Sequence, residues 1–286
     1  VGSEMCIRDR AGALAEYFGA IEGASLEANK GAYSYAWMII FAVIAAIMVL
    51  IGLYHIRMLP SNQIPSTTKK TTSEVGRELV AVIANFFTKK HIFYYICFII
   101  LYRLAEGFIM KIAPLFLRAS REVGGLGLSL KEIGTLNGVF GSAAFVLGSL
   151  LAGIYVSKFG LKRTLFTLCC IFNLPFVAYT FLAVTQPTNV YLIGTCITME
   201  YFGYGFGFVG LTLFMMQQIA PGKHQMSHYA FASGIMNLGV MLPGMVSGYF
   251  SDLLGYRNFF IYVLIATIPA FLITYFIPFT YDDSKK

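Results

Sequence analysis

The sequence predicts an all-α, polytopic membrane protein, and three observations carry that prediction. Hydrophobic residues make up 57% of the 286 and charged residues 12%, about half the ~25% charged share of an average soluble domain. The apolar residues gather into runs long enough to cross a ~30 Å hydrocarbon core at 1.5 Å per residue. The few charges inside those runs, Arg103, Glu106, Lys111 and Glu200, come in both signs, as buried charges must if they are to neutralise one another.

In chain order, residues 1–10 (VGSEMCIRDR) have no initiator methionine in first place and no apolar core, and are expected to be a non-native leader. Residues 11–31 are small and polar, and 32–54 form an uncharged span. From 55 to 91 the chain is basic and polar. Within that stretch Thr71 and Glu74 have capping-box spacing, and Leu79, Val80, Ile83, Phe86 and Phe87 recur on one helix face, which predicts either an interfacial helix lying on the membrane or a soluble helix packed on the loops. The span 92–117 carries Arg103 and Glu106 three residues apart, a spacing that lets them pair on one face. Ser129 and Glu132 form a second capping box opening the span 129–156, whose glycines provide small faces for close helix contact. Spans 164–184, 189–216, 229–250 and 258–280 follow, the second of these interrupted by glycine and aromatic residues and by Glu200. Pro175 and Pro243 are expected to bend their helices.

The basic residues fall between spans in short clusters, which orient a chain in a bilayer; nucleic acid would require a basic patch with interleaved aromatics, and none is present. With the 55–91 linker in the cytoplasm, that side holds Arg57, Lys69, Lys70, Arg77, Lys89, Lys90, Lys158, Lys162, Arg163, Lys223, Lys285 and Lys286. The opposite side holds Lys30, Arg118, Arg121, Lys131 and Arg257. The excess predicts a cytoplasmic C-terminus. Of the five cysteines, Cys97, Cys169, Cys170 and Cys196 lie in apolar spans, so no disulfide framework or metal-ligand spacing is visible. His224 and His228 lack a third ligand, and Gly205-x-Gly207-x-x-Gly210 lies inside an apolar span with no strand before it. Neither a metal nor a nucleotide cofactor is expected, and no cluster of His, Asp or Glu near one interface points to an enzyme.

Three stretches share one spacing: Gly12-x3-Glu16-x2-Gly19, Gly153-x3-Ser157-x2-Gly160 and Gly248-x3-Asp252-x2-Gly255. Each is expected to close the same kind of helix end, with one glycine for close packing and one for the turn. In the orientation above they alternate sides of the membrane, as inverted repeats do.

GIYVSKFGLKR, residues 153–163, resembles the loop signature of the major facilitator superfamily: a glycine, an acid, a basic residue, a glycine and two basic residues. Gly153, Ser157, Lys158, Gly160, Lys162 and Arg163 stand at those positions, and Ser157 replaces the acid. LYRLAEGFIMKIAPLFL, GGLGLSLKEIG and SGYFSDLLGYRNFFI are similar to the branch containing the AmpG-type muropeptide permeases and the acetyl-CoA transporters. The resemblance, over residues 11–280, implies that 11–54 end an N-terminal bundle with one transmembrane helix. It implies further that 55–91 are the cytoplasmic linker and that 92–286 are the C-terminal six-helix bundle, whose partner is the missing N-terminal half. It also implies a secondary transporter of the bacterial inner membrane that takes a small-molecule substrate, a muropeptide, together with protons. Acetyl-CoA or another small solute is an alternative cargo, and a non-transporting sensor or scaffold an alternative role.

Among the residues at membrane depth, one carboxylate of Glu106 and Glu200 is the candidate proton carrier, and Arg103 or Lys111 the candidate anchor for an anionic substrate group. Glu200 is also the candidate partner of Lys111, which otherwise snorkels to the interface. Asn137 and Asn173 are candidate hydrogen-bonding groups, and Tyr201, with Tyr204, Phe206 and Phe208, a surface on which a sugar ring could stack. Interhelical bonding explains the asparagines equally well, helix packing explains the aromatics better than stacking on a sugar does, and a neutral interhelical network that fixes packing is the alternative for the charges.

Overall fold

The structure, a computed structural model, describes residues 17–18, 30–58 and 72–281 of the chain. The expected leader, the Gly12–Glu16–Gly19 copy of the repeat and Thr71 of the first capping box lie outside the described residues. The chain divides into two units, Val1–Arg77 and Glu78–Lys286.

In the first unit, α1 (Lys30–Met58) leaves Met38, Phe41, Leu50 and Leu53 exposed and has no polar face. Its 29 residues reach about 43 Å, more than a hydrocarbon core requires, and a helix apolar all round is a membrane span. The helix α2 (Thr72–Phe87) runs from the linker into the second unit.

The second unit continues with α3 (Ile92–Arg118), α4 (Leu130–Phe159), α5 (Leu161–Thr185) and α6 (Val190–Phe214), which passes into a π-helical turn, Met215–Ile219. The last helical stretch, Gln225–Phe276, is divided by Gly255 into α7 (225–254) and α8 (256–276). With α1, these helices stand where the seven spans were expected. By length and hydropathy α1, α3, α4, α5 and the α7–α8 stretch can each cross a membrane. The Ser129–Glu132 capping box opens α4 as anticipated: Glu132 N–H donates to Ser129 Oγ at 3.2 Å, and Ser129 N–H to Glu132 Oε2 at 2.8 Å. Pro175, which has no N–H to give, separates the two pieces of α5, whereas α7 runs on through Pro243, whose ring lies against Gly107 of α3.

Two local expectations are corrected. The basic stretch 158–163 and the segment 251–257, which lie between expected spans, are helical apart from one residue each. Helix continues on both sides of a single glycine, Gly160 (φ 78°, ψ 148°) and Gly255 (φ 70°, ψ 160°). These nearly identical conformations lie in a region that only glycine occupies without strain, so the repeat marks two equivalent one-residue joints. The polar residues around them are accommodated because Lys158, Lys162, Arg163, Asp252 and Arg257 are exposed at helix ends. Second, Gly153 and Gly248, expected to permit close packing, face open space among the described residues. The apolar stripe of α2 is divided between protein and surroundings. Val82 and Phe86 are buried, while Leu79, Val80 and Phe87 are exposed. The i, i+4 pair Val82 and Phe86 docks on α7, where the Phe86 ring lies 5.7 Å from His228 and 5.8 Å from Phe231, and His228 Nε2 donates to the Val82 carbonyl at 3.3 Å.

Helix packing follows two triplets, α3–α4–α5 and α6–α7–α8. The most extensive contacts are crossed: α4 packs on α6, and α3 on α7 and α8. Gly160 and Gly255 occupy the same joint in each triplet. The first helices of the two triplets are also bridged at both ends by cations. Lys89, just before α3, donates to the Ile219 and Pro221 carbonyls just after α6. Arg121, just after α3, donates to the Gln186 and Pro187 carbonyls just before α6, at 2.8 and 2.9 Å. Partial burial lowers the Lys89 ammonium below its ordinary pKa, and the two carbonyls it caps favour the charged form. Between these ends lies an aromatic core in which Phe214 packs on Tyr95 and Phe98, and Phe172 packs on Tyr102 and Tyr204.

Adding a Cβ at the joints tests this architecture. Gly160→Ala and Gly255→Ala are each expected to destabilise the protein by about 1–3 kcal/mol, whereas Gly153→Ala and Gly248→Ala, in open space, should leave it unchanged or slightly more stable. Thermal unfolding in detergent micelles, followed by monodispersity on size exclusion, separates the two pairs.

Candidate functional site

The site begins with a break in α3. Its pieces, Ile92–Tyr102 and Leu104–Arg118, meet at Arg103, which has φ −103° and ψ 6°, in the sparsely allowed bridge region where many active-site residues sit. Arg103 and Glu106 are both buried, 4% and 6% exposed. They form the pair expected from their spacing: Nε donates to Glu106 Oε2 at 2.6 Å and Nη2 to Oε1 at 2.5 Å. A two-pronged guanidinium–carboxylate pair is the arrangement that compensates best for lost hydration.

The pair is bound to α6 by a run of contacts on successive turns. Arg103 Nη2 lies 3.5 Å from Tyr204 Oη, and the guanidinium carbon lies 5.5 Å from the centroid of the Phe208 ring, a cation–π contact. Next to Arg103, Tyr102 Oη donates to the Gly207 carbonyl at 2.9 Å. The glycines of α6 make this approach possible: Gly205 lies against the Phe145 carbonyl of α4 and Gly207 against the Phe172 side chain of α5, with no room for a Cβ at either. The sequence of alternating glycines and aromatics is therefore a packing device, with the aromatics pointing between helices that the glycines bring together.

Glu200 lies one turn before Tyr204 on α6 and is half-buried. Among the described residues it has neither an ion pair nor a hydrogen bond. Lys111 does not provide one. It is exposed, with its stem beside Gly244 of α7. Five residues at 3.6 per turn place it about 140° round the helix from Glu106. Lys111 thus leaves the buried constellation.

The remaining candidates are spread over two interfaces. Asn137 is buried in a π-helical turn of α4, Thr135–Gly141, and its Oδ1 has no partner among the described residues. Tyr201 packs its ring on Gly141, where a Cβ would stand only 2.9–3.1 Å from the ring. Asn173 is buried at the end of the first piece of α5, where its Nδ2 donates to the Cys169 carbonyl at 3.0 Å while Oδ1 is unpartnered. Through Cys169, whose thiol accepts from Thr274 Oγ1 at 3.4 Å, it belongs to the α5–α8 contact. In the loop signature, Ser157 Oγ donates to the Ile154 carbonyl at 2.9 Å in place of any carboxylate interaction. Tyr204 and Phe208 meet Arg103 directly. The signal for this was present: Glu200, Tyr204 and Phe208 recur every four residues and share one face of α6.

A protein-family model described as Major Facilitator Superfamily matches residues 11–220. Among curated proteins, the chain is 23% identical over 209 residues to "Anhydromuropeptide permease" of Escherichia coli (strain K12), covering 73% of the chain and 41% of that protein. It is 25% identical over 238 residues to "Putative transporter AmpG 1" of Rickettsia bellii (strain RML369-C), covering 82% and 56%. It is 27% identical over 204 residues to "Putative transporter AmpG 2" of Rickettsia prowazekii (strain Madrid E), covering 70% and 47%. The chain spans about half the length of these relatives.

The ion pair can be tested as a unit. Arg103→Met and Glu106→Leu should each cost about 3–5 kcal/mol by stranding a buried partner, and the double variant Arg103→Met/Glu106→Leu should recover most of that loss. Thermal unfolding of the four proteins in one detergent reads the coupling; strictly additive losses would mean that the two side chains do not depend on each other.

Proposed function

Because the chain belongs to the Major Facilitator Superfamily, we propose that it is part of a proton-coupled transporter importing muropeptides, an anhydromuramyl sugar or its peptide conjugate, across a bacterial inner membrane. Membership of the family makes it an integral membrane transporter of small molecules, and the names of its relatives support the cargo. In this reading 92–286 are the C-terminal bundle, and the substrate is held between it and an N-terminal bundle supplied by the longer protein. The linker and the C-terminus face the cytoplasm, and the exposed Leu79, Val80 and Phe87 of α2 rest in the headgroup zone.

The observation that carries the reading is the contrast between two carboxylates. Glu106 is held by Arg103, while Glu200, without an ion pair among the described residues, is free to gain and lose a proton as its access to water changes. A proton on Glu200 removes the negative charge that faces the Arg103–Glu106 pair across Tyr204. An anionic group of the substrate then competes with Glu106 for the guanidinium, and the sugar ring stacks on Tyr201, Tyr204 or Phe208. Proton and substrate enter together because each lowers the electrostatic cost of the other.

The test is uptake of a labelled anhydromuramyl peptide into cells expressing the full-length parent. Protonophore should abolish accumulation. Glu200→Gln should abolish it as well, yet leave exchange between preloaded vesicles, which needs no net proton movement. Uptake indifferent to the protonophore would remove proton coupling, and robust expression without uptake would remove the muropeptide in favour of another solute or a non-transporting role.

A further inference from the structure

The two cation bridges between α3 and α6 are alike in their donors and in their paired carbonyl acceptors, but their surroundings differ. At the Arg121 bridge the hydrogen bonds join the two loops, and α8 contributes the Tyr256 ring beside Gly124. At the Lys89 bridge a third element also forms hydrogen bonds, the stretch 277–281 that follows α8. Its seat is Gln218, 3% exposed and within the π-helical turn that ends α6. Gln218 Oε1 accepts from the backbone N–H groups of Thr280 and Tyr281 at 2.9 and 3.0 Å, and its Nε2 donates to the Tyr281 carbonyl at 2.6 Å. One side-chain amide thus satisfies three backbone groups of the tail. Tyr95 of α3 adds a hydroxyl contact to Thr280 Oγ1 at 2.7 Å, Ile277 is buried in the aromatic core, and the Phe279 ring stands edge-on to Phe214 at 5.7 Å.

The element that receives the tail is π-helical. In the π turn the Ala220 N–H reaches back to the Met215 carbonyl at 2.9 Å. Relaxing that turn to α-helix shifts the register by one residue and swings the Gln218 side chain about 100° round the axis. In that register the amide no longer meets the tail.

We infer that residues 277–281 are a latch: docked on Gln218 they hold the end of α6 in its π-helical register beside α3, and their release frees that end to relax and move. This property belongs to the chain whatever its cargo. The latch adds to the Lys89 bridge, so its loss loosens the end of α6 without dismantling the bundle.

Hydrogen exchange by mass spectrometry on the full chain in lipid nanodiscs provides the test. Gln218→Leu removes all three tail contacts. Thr280→Pro, at an exposed position near the chain's end, removes one N–H and breaks the docked geometry without touching the helices. In the unaltered protein the 280 and 281 amides should be protected. Gln218→Leu should release both amides and Thr280→Pro the remaining one at 281, and each variant should speed exchange across 215–220 by about tenfold, the order expected when two or three hydrogen bonds are lost. Exchange at 203–207 in the middle of α6 should not change. Unprotected tail amides in the unaltered protein, or a released tail with 215–220 exchange unaltered, would overturn the latch. If Gln218→Leu does not fold, Thr280→Pro alone decides.

Discussion

A guanidinium and a carboxylate three residues apart inside an apolar helix impose the constraint on which most of this structure rests. Neither charge can be left alone at that depth, so the pair must close on itself, and it does so with two hydrogen bonds at 2.5 and 2.6 Å. The closed pair still has a donor and a cationic face to satisfy. Tyr204 and Phe208 of α6 provide for both, and α6 can come near only because glycine replaces larger residues where it passes α4 and α5. The break of α3 at Arg103, the glycine-rich composition of α6 and the aromatic core between them are therefore parts of one solution.

That solution makes α6 the helix on which the others converge. It packs on α4 and α5 through its glycines, is tied to α3 in the middle by Tyr102 and Arg103, and is capped by Arg121 and Lys89 at its two ends. In a membrane, where lipid is as apolar as leucine, helix association relies on close packing and on such polar ties. The crossed contacts of the two triplets, with matching glycine joints at Gly160 and Gly255, distribute the ties to both faces of the bundle. A fold built this way changes shape by moving whole helices between packed arrangements, since its interfaces are bistable and not continuously deformable.

The parts of the fold legible in the sequence were those dictated by hydropathy and local chemistry. Spans follow from the absence of water inside a bilayer. The Ser129–Glu132 cap and the Arg103–Glu106 pair follow from three-residue spacing, and the repeat of Gly160 and Gly255 follows from a backbone conformation that only glycine adopts. Legibility ended where geometry depends on a second helix. Polar residues around the joints resembled loops, because exposed helix ends and loops have the same composition. Periodicity gave the stripe on α2, but not that Phe86, with Val82, docks on α7 while Leu79, Val80 and Phe87 stay exposed. Lys111 appeared to be a member of the buried site because depth along a span is visible in sequence while azimuth relative to neighbours is not. Gln218 gave no signal at all, since a glutamine near a helix end is ordinary until a tail is seen to dock on it.

The distribution of charge that remains has a mechanical consequence under the proposed transport cycle. If Glu200 had a cation beside it, gain or loss of its proton would be absorbed locally by a shift of that partner. With Lys111 exposed and Arg103 held by Glu106, no such partner stands among the described residues, and the change in charge is felt by α6 as a whole. The same helix carries the aromatics that meet the ion pair and ends in the π-helical turn on which the inferred latch docks. Protonation in its middle and release at its end are then two influences on one rigid element, and the glycine contacts that seat it, having no side chains to rearrange, let it shift as a unit.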